Sequence, residues 1–493
     1  MARNPVVREI LDRYLQVWAL NHSQAVLGWD TETGMPEGGA RPRGMALGQL
    51  ALLTQKATVE LDGLVKKAER AKDLDDMEKG VVRRMRRELD YYIKVPPEVV
   101  DEIQRVTTEA TVVWRTARKR SDFKLFKPHL EKIVELQRTV AEKLGYEKHP
   151  YNALIDQFEE GFTVADADAV YARLIPESKK LLAKVTAAGV YPSKHPLEST
   201  KYDLAAMERV NQEVTRLLKM PPDRFKMAVS THPFTIQIAR DDVRITTRYE
   251  GVNFKSTMYS TVHESGHAIY GLGLDERLAY TPLVGGASFG IHESQSRFWE
   301  NVVGRSREFV GLAGPILRKN LPFVKGYDDE SLYFYFNTVR KSFIRVEADE
   351  LTYNFHTALR YEVEKKVIAG EVAVSEVPSL WNDTFEEYLG MRPKNDAEGA
   401  LQDVHWSGGS FGYFATYTLG NIVAAMIWHK MKDGAVIRGA LERGDVLQLK
   451  EWLGTNIHRY GSTYAPKDLQ RKVFGEAYNQ ERLLQYLGKK FAA

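Results

Sequence analysis

The stretch Thr261-Val-His263-Glu264-Ser-Gly-His267-Ala-Ile-Tyr270 decides how the chain is read. Residues four apart lie on one face of an α-helix, so His263 and His267 can aim two imidazoles at a single ion. The Glu264 carboxylate falls beside them, where it can take a proton from water held there. The flanks predict the helix: Ser256 stands where an N-cap would, and Gly271 follows Tyr270 as a stop. Val262, Ala268, Ile269 and Tyr270 mark that helix as mostly buried, and histidines on a buried helix need partners. With 12 His and 66 acidic residues, a chain of this composition would show the pattern H-E-x-x-H about 0.04 times by chance. The motif is therefore read as a metal site rather than as two surface histidines.

A catalytic zinc takes three protein ligands and keeps one position for water. The best source of the third is Gly290-Ile-His292-Glu293-Ser-Gln295-Ser-Arg297, which opens a second helical pattern 30 residues after His263. Two antiparallel helices would bring Glu293 opposite the histidines. Spacing also allows a plain i,i+4 ion pair between Glu293 and Arg297, with His292 as a rival ligand or a supporting group. The chain has no cysteine, which excludes thiolate ligands, thiolate nucleophiles and disulfides.

Outward from this motif the chain reads as helix. Apolar residues recur at helical spacing over 99–145, 165–187, 204–218, 295–320, 330–369 and 376–390. One region differs: Phe234–Ile238 and Val243–Tyr249 are rich in β-branched and aromatic residues, with Arg240-Asp241-Asp242 between them, and predict a hairpin. Breaks fall at Met35-Pro36-Glu37-Gly38-Gly39, Pro96-Pro97, Pro221-Pro222 and Gly285-Gly286. The uncharged run 406–428 opens with serines and glycines, so it reads as a buried helix after a glycine-rich loop rather than a membrane span. No flexible linker divides the chain. The expectation is one mainly helical domain over residues 1–493, with a small β-sheet beside the histidine helix.

The 69 basic and 66 acidic side chains leave a formal net charge of only +3, which gives no basis for a nucleic-acid or membrane-surface partner. The N-terminus carries charges at Arg3, Arg8, Glu9, Asp12 and Arg13 and lacks the apolar core of a signal peptide, so a cytoplasmic protein is expected.

The sequence resembles the carboxypeptidase Taq family of zinc metallocarboxypeptidases well beyond the histidine motif. Family-like blocks run in order through Trp29-Asp30, Met35-Pro36, His232-Pro233-Phe234, Asp242-Val-Arg244-Ile-Thr246, His263 to His267 and His292 to Gln295. They continue through Ile344-Arg345-Val-Glu-Ala348-Asp349 and Gly399-Ala-Leu-Gln402-Asp403-Val-His405-Trp406. The resemblance implies a mainly α fold with a long, deep substrate groove, similar to neurolysin and angiotensin-converting enzyme. It implies zinc on His263, His267 and Glu293, with cobalt able to occupy such a site in vitro, and Glu264 as general base. It also implies release of single residues from peptide C-termini with a broad preference that excludes proline, and a homodimer.

His405 and the loop Gly408–Tyr417 resemble the His-then-Gly-Tyr arrangement of neurolysin-like enzymes, which makes His405, Tyr413 and Tyr417 candidates for stabilising the oxyanion. One departure, Ala415 where the family pattern has proline, bears on loop rigidity rather than on the metal. Arg345 and Arg244 lie in family-like blocks, and a guanidinium can bind a free carboxylate bidentately. Each also has a structural alternative, Asp349 for Arg345 and Asp242 for Arg244. The competing readings are a zinc endopeptidase or oligopeptidase of the same fold, an inactive binding protein, and a metal-free helical scaffold. The presence of Glu264 counts against an inactive protein.

Overall fold

The computed structural model describes residues 2–491. Twenty α-helices and three short strands make up its regular structure, with short 3₁₀ turns and one π-helical segment between them. The first helices are α1 (Pro5–Thr33), α2 (Ala40–Val59), α3 (Asp62–Ala68), α4 (Asp76–Lys94), α5 (Pro97–Arg120) and α6 (Phe123–Leu144). Then come α7 (Tyr151–Phe158), α8 (Val164–Ala188), α9 (Leu204–Leu217), and strands β1 (Phe225–Val229), β2 (Thr235–Ala239) and β3 (Asp242–Thr247). The histidine motif lies on α10 (Phe254–Leu272), followed by α11 (Phe289–Arg297), α12 (Arg307–Asn320), α13 (Asp329–Phe336), α14 (Tyr353–Ala369) and α15 (Val377–Leu389). The chain closes with α16 (Phe414–Lys430), α17 (Ala435–Glu442), α18 (Val446–Asn456), α19 (Pro466–Phe474) and α20 (Gln480–Phe491).

Two compact units result, each assembled from separate segments. The first comprises residues up to Leu89, His195–Phe336 and Ala424–Ala477; the second comprises Asp90–Lys194, Asn337–Val423 and Tyr478 onward.

In the first unit the helix starts follow capping chemistry. Asn4 accepts the Val6 and Val7 amides with Pro5 in the first turn, so α1 begins with its free N–H groups met. Val7, Ile10, Tyr14 and Val17 on α1 pack with Leu61, Val65, Met85 and Leu89 into one apolar cluster. The sheet has the order β1-β3-β2, with β1 parallel and β2 antiparallel to β3. The expected hairpin is thus present. β1 was not anticipated, because Phe225-Lys-Met-Ala-Val229 is short and alternates poorly. Val243 and Ile245 of β3 are buried while Arg244 between them points the other way. Gly271 lets α10 lie against this sheet, since a Cβ there would come within 3.3 Å of Val243.

Two boundary expectations are corrected. The N-cap of α10 is Asn253, in the left-handed region at φ 56°, and Ser256 is the residue whose amide it accepts. Gly271 lies inside the helix, which closes at Gly273.

In the second unit α8 opens on a reciprocal capping box between Thr163 and Asp166. The helical patterns over 99–145 and 330–369 are both interrupted. Ser121, at φ 53°, ends α5 two residues before α6 begins, and residues 337–352 are non-helical apart from a 3₁₀ turn, Arg345–Glu347. The run 406–428 is a loop followed by the buried part of α16, and no helix among the described residues is long and apolar enough to cross a membrane.

Candidate active site

The candidate metal-binding cluster is built in the first unit from α10 and α11. His263 and His267 stand one turn apart on α10, and Glu293 comes from the middle of α11. Their ligand atoms all lie within 4.8 Å of one another. Glu293 Oε2 is 3.7 Å from His263 Nε2 and 3.5 Å from His267 Nε2. The helices can meet this closely because Gly266 has no side chain. A Cβ there would sit 2.7 Å from both Gln295 O and Ser296 Cα. The motif's one glycine therefore permits the helix contact that brings Glu293 across to the histidines.

The ion pair with Arg297 forms, and it leaves Glu293 free to serve as a ligand as well. Arg297 Nε donates to Oε1 at 2.7 Å, as the i,i+4 spacing suggested, and this leaves Oε2 facing the imidazoles. The Ser296 hydroxyl also donates to Oε2, at 3.0 Å. Burial raises the Glu293 pKa, but Arg297 and the two histidines outweigh it and hold the carboxyl well below its usual range.

Each histidine has its second nitrogen occupied. His263 Nδ1 lies 2.9 Å from Glu300 Oε2, so it donates there and presents Nε2 as a lone pair. Glu300 accepts in turn from Arg297 at 3.4 Å and Arg305 at 2.9 Å. Burial alone would push the His263 pKa down; the carboxylates of Glu293 and Glu300 outweigh it and raise it. His267 Nδ1 lies 2.7 Å from His292 Nδ1. Burial and the neighbouring His267 push the His292 pKa down to about 3, so His292 is neutral and able to accept this hydrogen bond. His292 thus lies outside the candidate cluster of His263, His267 and Glu293 and pairs with His267 instead.

Two imidazole nitrogens and one carboxylate oxygen, converging with their outer atoms satisfied, fit a divalent ion with a position left open. Glu264, the neighbour of His263, is buried, and its Oε2 accepts from the Thr235 hydroxyl at 2.6 Å. Thr235 opens β2, so the sheet beside α10 orients this carboxylate. Sequence reading missed Thr235, Glu300 and Arg305. Glu300, two turns after Glu293 on the same helical pattern, was detectable from spacing.

Arg244, on β3, pairs side-on with Asp242 through two hydrogen bonds of 2.7 Å and lies over the Trp29 ring at 5.6 Å. Its side chain is 22% exposed.

The remaining candidates lie in the second unit. His405 is half-buried, with Nε2 3.3 Å from the Tyr417 hydroxyl and its ring 5.5 Å from that of Tyr413. Burial pushes its pKa down to about 4, so it is a neutral imidazole at physiological pH. Arg345 is paired differently from the sequence expectation. Asp349 serves the backbone, accepting the Arg340, Leu351 and Thr352 amides. Arg345 instead binds Asp403 through Nε at 3.0 Å and Nη2 at 2.8 Å, and donates from Nη1 to the Tyr353 hydroxyl at 2.8 Å. Its side chain is 7% exposed.

Comparison with known proteins identifies the family. The family model described as carboxypeptidase Taq (M32) metallopeptidase matches residues 9–491. Thermostable carboxypeptidase 1 of Pyrococcus furiosus is 44% identical over 493 residues, covering 99% of each chain. Carboxypeptidase 1 of Bacillus subtilis is 36% identical over 506 residues, covering 98% of each. Among solved structures, Pyrococcus furiosus carboxypeptidase in an Apo-Mg form matches with a TM-score of 0.97 over 99% of both chains. The M32 carboxypeptidase of Deinococcus radiodurans matches with a TM-score of 0.94 at 32% identity, again over 99% of both chains. With its histidine pair and facing glutamate, the chain belongs to the carboxypeptidase Taq (M32) family of metallopeptidases.

Proposed function

We propose that this metallocarboxypeptidase is a zinc enzyme that removes single residues from peptide C-termini. The observation that carries the zinc assignment is the convergence of His263 Nε2, His267 Nε2 and Glu293 Oε2, a donor set that suits zinc and that cobalt also accepts. A divalent cation held there supplies Lewis acidity, making water a better nucleophile near neutral pH and polarising the scissile carbonyl. Glu264 takes the proton from the attacking water and passes it to the leaving amine. The Thr235 hydroxyl fixes one of its oxygens and leaves the other for that water.

His405, neutral and able to donate, is assigned to the oxyanion that develops on the scissile carbonyl, with Tyr413 or Tyr417 as a second donor. Of the two arginines, the exposed edge of Arg244 is better suited to a substrate carboxylate than the fork of Arg345, which Asp403 and Tyr353 already occupy. A homodimer is supported by Met45, Leu52 and Leu53 on α2, each more than half exposed. A cytoplasmic location fits the absence of cysteine.

Timed mass spectrometry of one N-blocked peptide, as free acid and as C-terminal amide, tests the substrate reading. A ladder of C-terminally shortened products from the acid alone is expected, with the preference lost in Arg244→Ala. Internal cuts, or equal cleavage of acid and amide, would refute it.

A further inference from the structure

A buried carboxylate in the second unit grips the segment that carries His405 and Tyr413. Glu364, on α14, has no exposed surface. Three donors from two segments, the loop after His405 and α7, converge on it. Trp406 Nε1 donates to Oε1 at 2.7 Å, the Gly412 amide donates to Oε2 at 2.9 Å, and the Tyr151 hydroxyl also donates to Oε2. Trp406 directly follows His405, and Gly412 directly precedes Tyr413, so one side chain ties both ends of the glycine-rich turn.

The rest of α14 acts on the same segment. Arg360, one turn before Glu364, donates Nε to Asp403 Oδ2 at 2.5 Å, two residues ahead of His405. On the far side, Gly412 lies against the backbone of α7. Its φ is 96°, and a Cβ there would stand 2.6 Å from Leu154 C and O. Within the turn, the Gly408 and Ser410 amides donate back to the His405 carbonyl at 3.1 and 3.0 Å. Burial pushes the Glu364 pKa up to about 7, so a carboxylate here costs stability that its three hydrogen bonds only partly offset.

We propose that Glu364 is a positioning residue for peptide hydrolysis, fixing where His405 and Tyr413 stand by holding Trp406 and Gly412. The inference rests on the role given above to His405. It asks nothing of Glu364 toward the substrate itself.

Glu364→Gln tests it with almost no change in shape. An amide offers one acceptor oxygen and one NH₂ group. Tyr151 can reverse its hydroxyl to accept, but the Trp406 and Gly412 groups are N–H donors that cannot. Whichever way the amide turns, one of the two faces another donor. The expected result is a kcat lowered about tenfold, a KM within about twofold of wild type and unchanged metal content. Amide hydrogen exchange over 405–413 should be faster.

In a His405→Ala background the same substitution should change kcat by less than about twofold, because residues acting as one unit are not additive. Trp406→Phe removes one of the gripped donors and should reproduce a smaller kcat loss, about threefold, if Glu364→Gln does not fold.

Wild-type exchange over 405–413 in Glu364→Gln would overturn the grip. A kcat loss of equal size with and without His405 would reduce Glu364 to a structural residue and overturn the proposal. A wild-type kcat in His405→Ala would overturn the role of His405, while the exchange measurement decides the grip by itself.

Discussion

Replacing Gly266 by alanine should cost the enzyme its metal before it costs the fold. The added Cβ would sit 2.7 Å from Gln295 O and from Ser296 Cα, both backbone atoms, so no side-chain rotation relieves the contact. Ordinary contact begins near 3.4 Å, and α10 and α11 must part by about 0.7 Å to reach it. Overpacking of this kind costs about 1–3 kcal/mol, against a gain of up to about 1 kcal/mol for alanine over glycine in a helix. The larger effect falls on the ligands. His267 follows Gly266 and Glu293 lies two residues before Gln295, with 3.5 Å between their facing atoms. A site that tolerates roughly ±0.2 Å in ligand distances does not absorb a shift of that size. Zinc affinity, measured by chelator competition on apo-protein, should fall about 10–100-fold, the range seen when support around a metal site is lost. Calorimetry on the same sample should show only a small drop in Tm. Gly28→Ala is the control: a Cβ there meets nothing within 4 Å, so it should leave zinc binding alone. Wild-type zinc affinity in Gly266→Ala would refute the claim that this helix contact sets the ligand geometry.

Glu264→Gln should retain stoichiometric metal and lose about 10²–10⁴-fold in kcat, the usual cost of removing a general base; near-normal turnover would remove Glu264 from that role. Glu300→Gln should weaken zinc binding by about 10–100-fold, because the His263 Nδ1 hydrogen would lose its charged acceptor, and unchanged affinity would show that His263 needs no such support. Stability should decline as pH falls from about 6.5 toward 4. His292, His356, His405 and His458 all have pKa values depressed by burial, so the unfolded chain takes up protons that the native state refuses. His263, whose pKa is raised, opposes this as a single group. In His405→Ala the decline measured by Tm should be shallower, and an unchanged slope would contradict the burial of a neutral imidazole at that position.

The helix that carries the candidate ligands was legible because a helix writes its geometry into spacing: placing His263 and His267 on one face needed only the rule of four. Glu293 was legible as a candidate, but spacing could not choose between a ligand and an ion pair. In the structure the two are compatible: Oε1 takes the ion pair with Arg297, while Oε2 faces the two imidazoles. The pairing of Arg345 could not be read in the same way. Its apparent partner Asp349 is four residues away only along a segment that is not helical, and its true partner Asp403 is distant in sequence. Thr235 was hidden for a related reason. A hydroxyl at the start of a strand carries no periodic signal, and its importance lies in the sheet packing beside α10. Glu364 sits in a helical pattern that gives no hint of the tryptophan and glycine it holds.

The π-helical segment Phe298–Val303 carries a consequence for how this region can change. Glu300 and Arg305, hydrogen-bonded at 2.9 Å, are five residues apart. In an α-helix that interval turns two side chains to different faces, whereas the wider π turn closes on i→i+5. Gly304 donates to the Trp299 carbonyl in that same i→i+5 pattern. The grip on Glu300, and through it the aim of His263, is therefore encoded in chain length as well as in residue identity. Shortening 298–303 by one residue would swing Arg305 away from the carboxylate, and it would also turn the buried side chains of this segment, Trp299 and Val303 among them, out of their packing. Conservative exchanges of the segment's apolar side chains would leave the register untouched. A deletion here would reach the candidate metal site as well as the core.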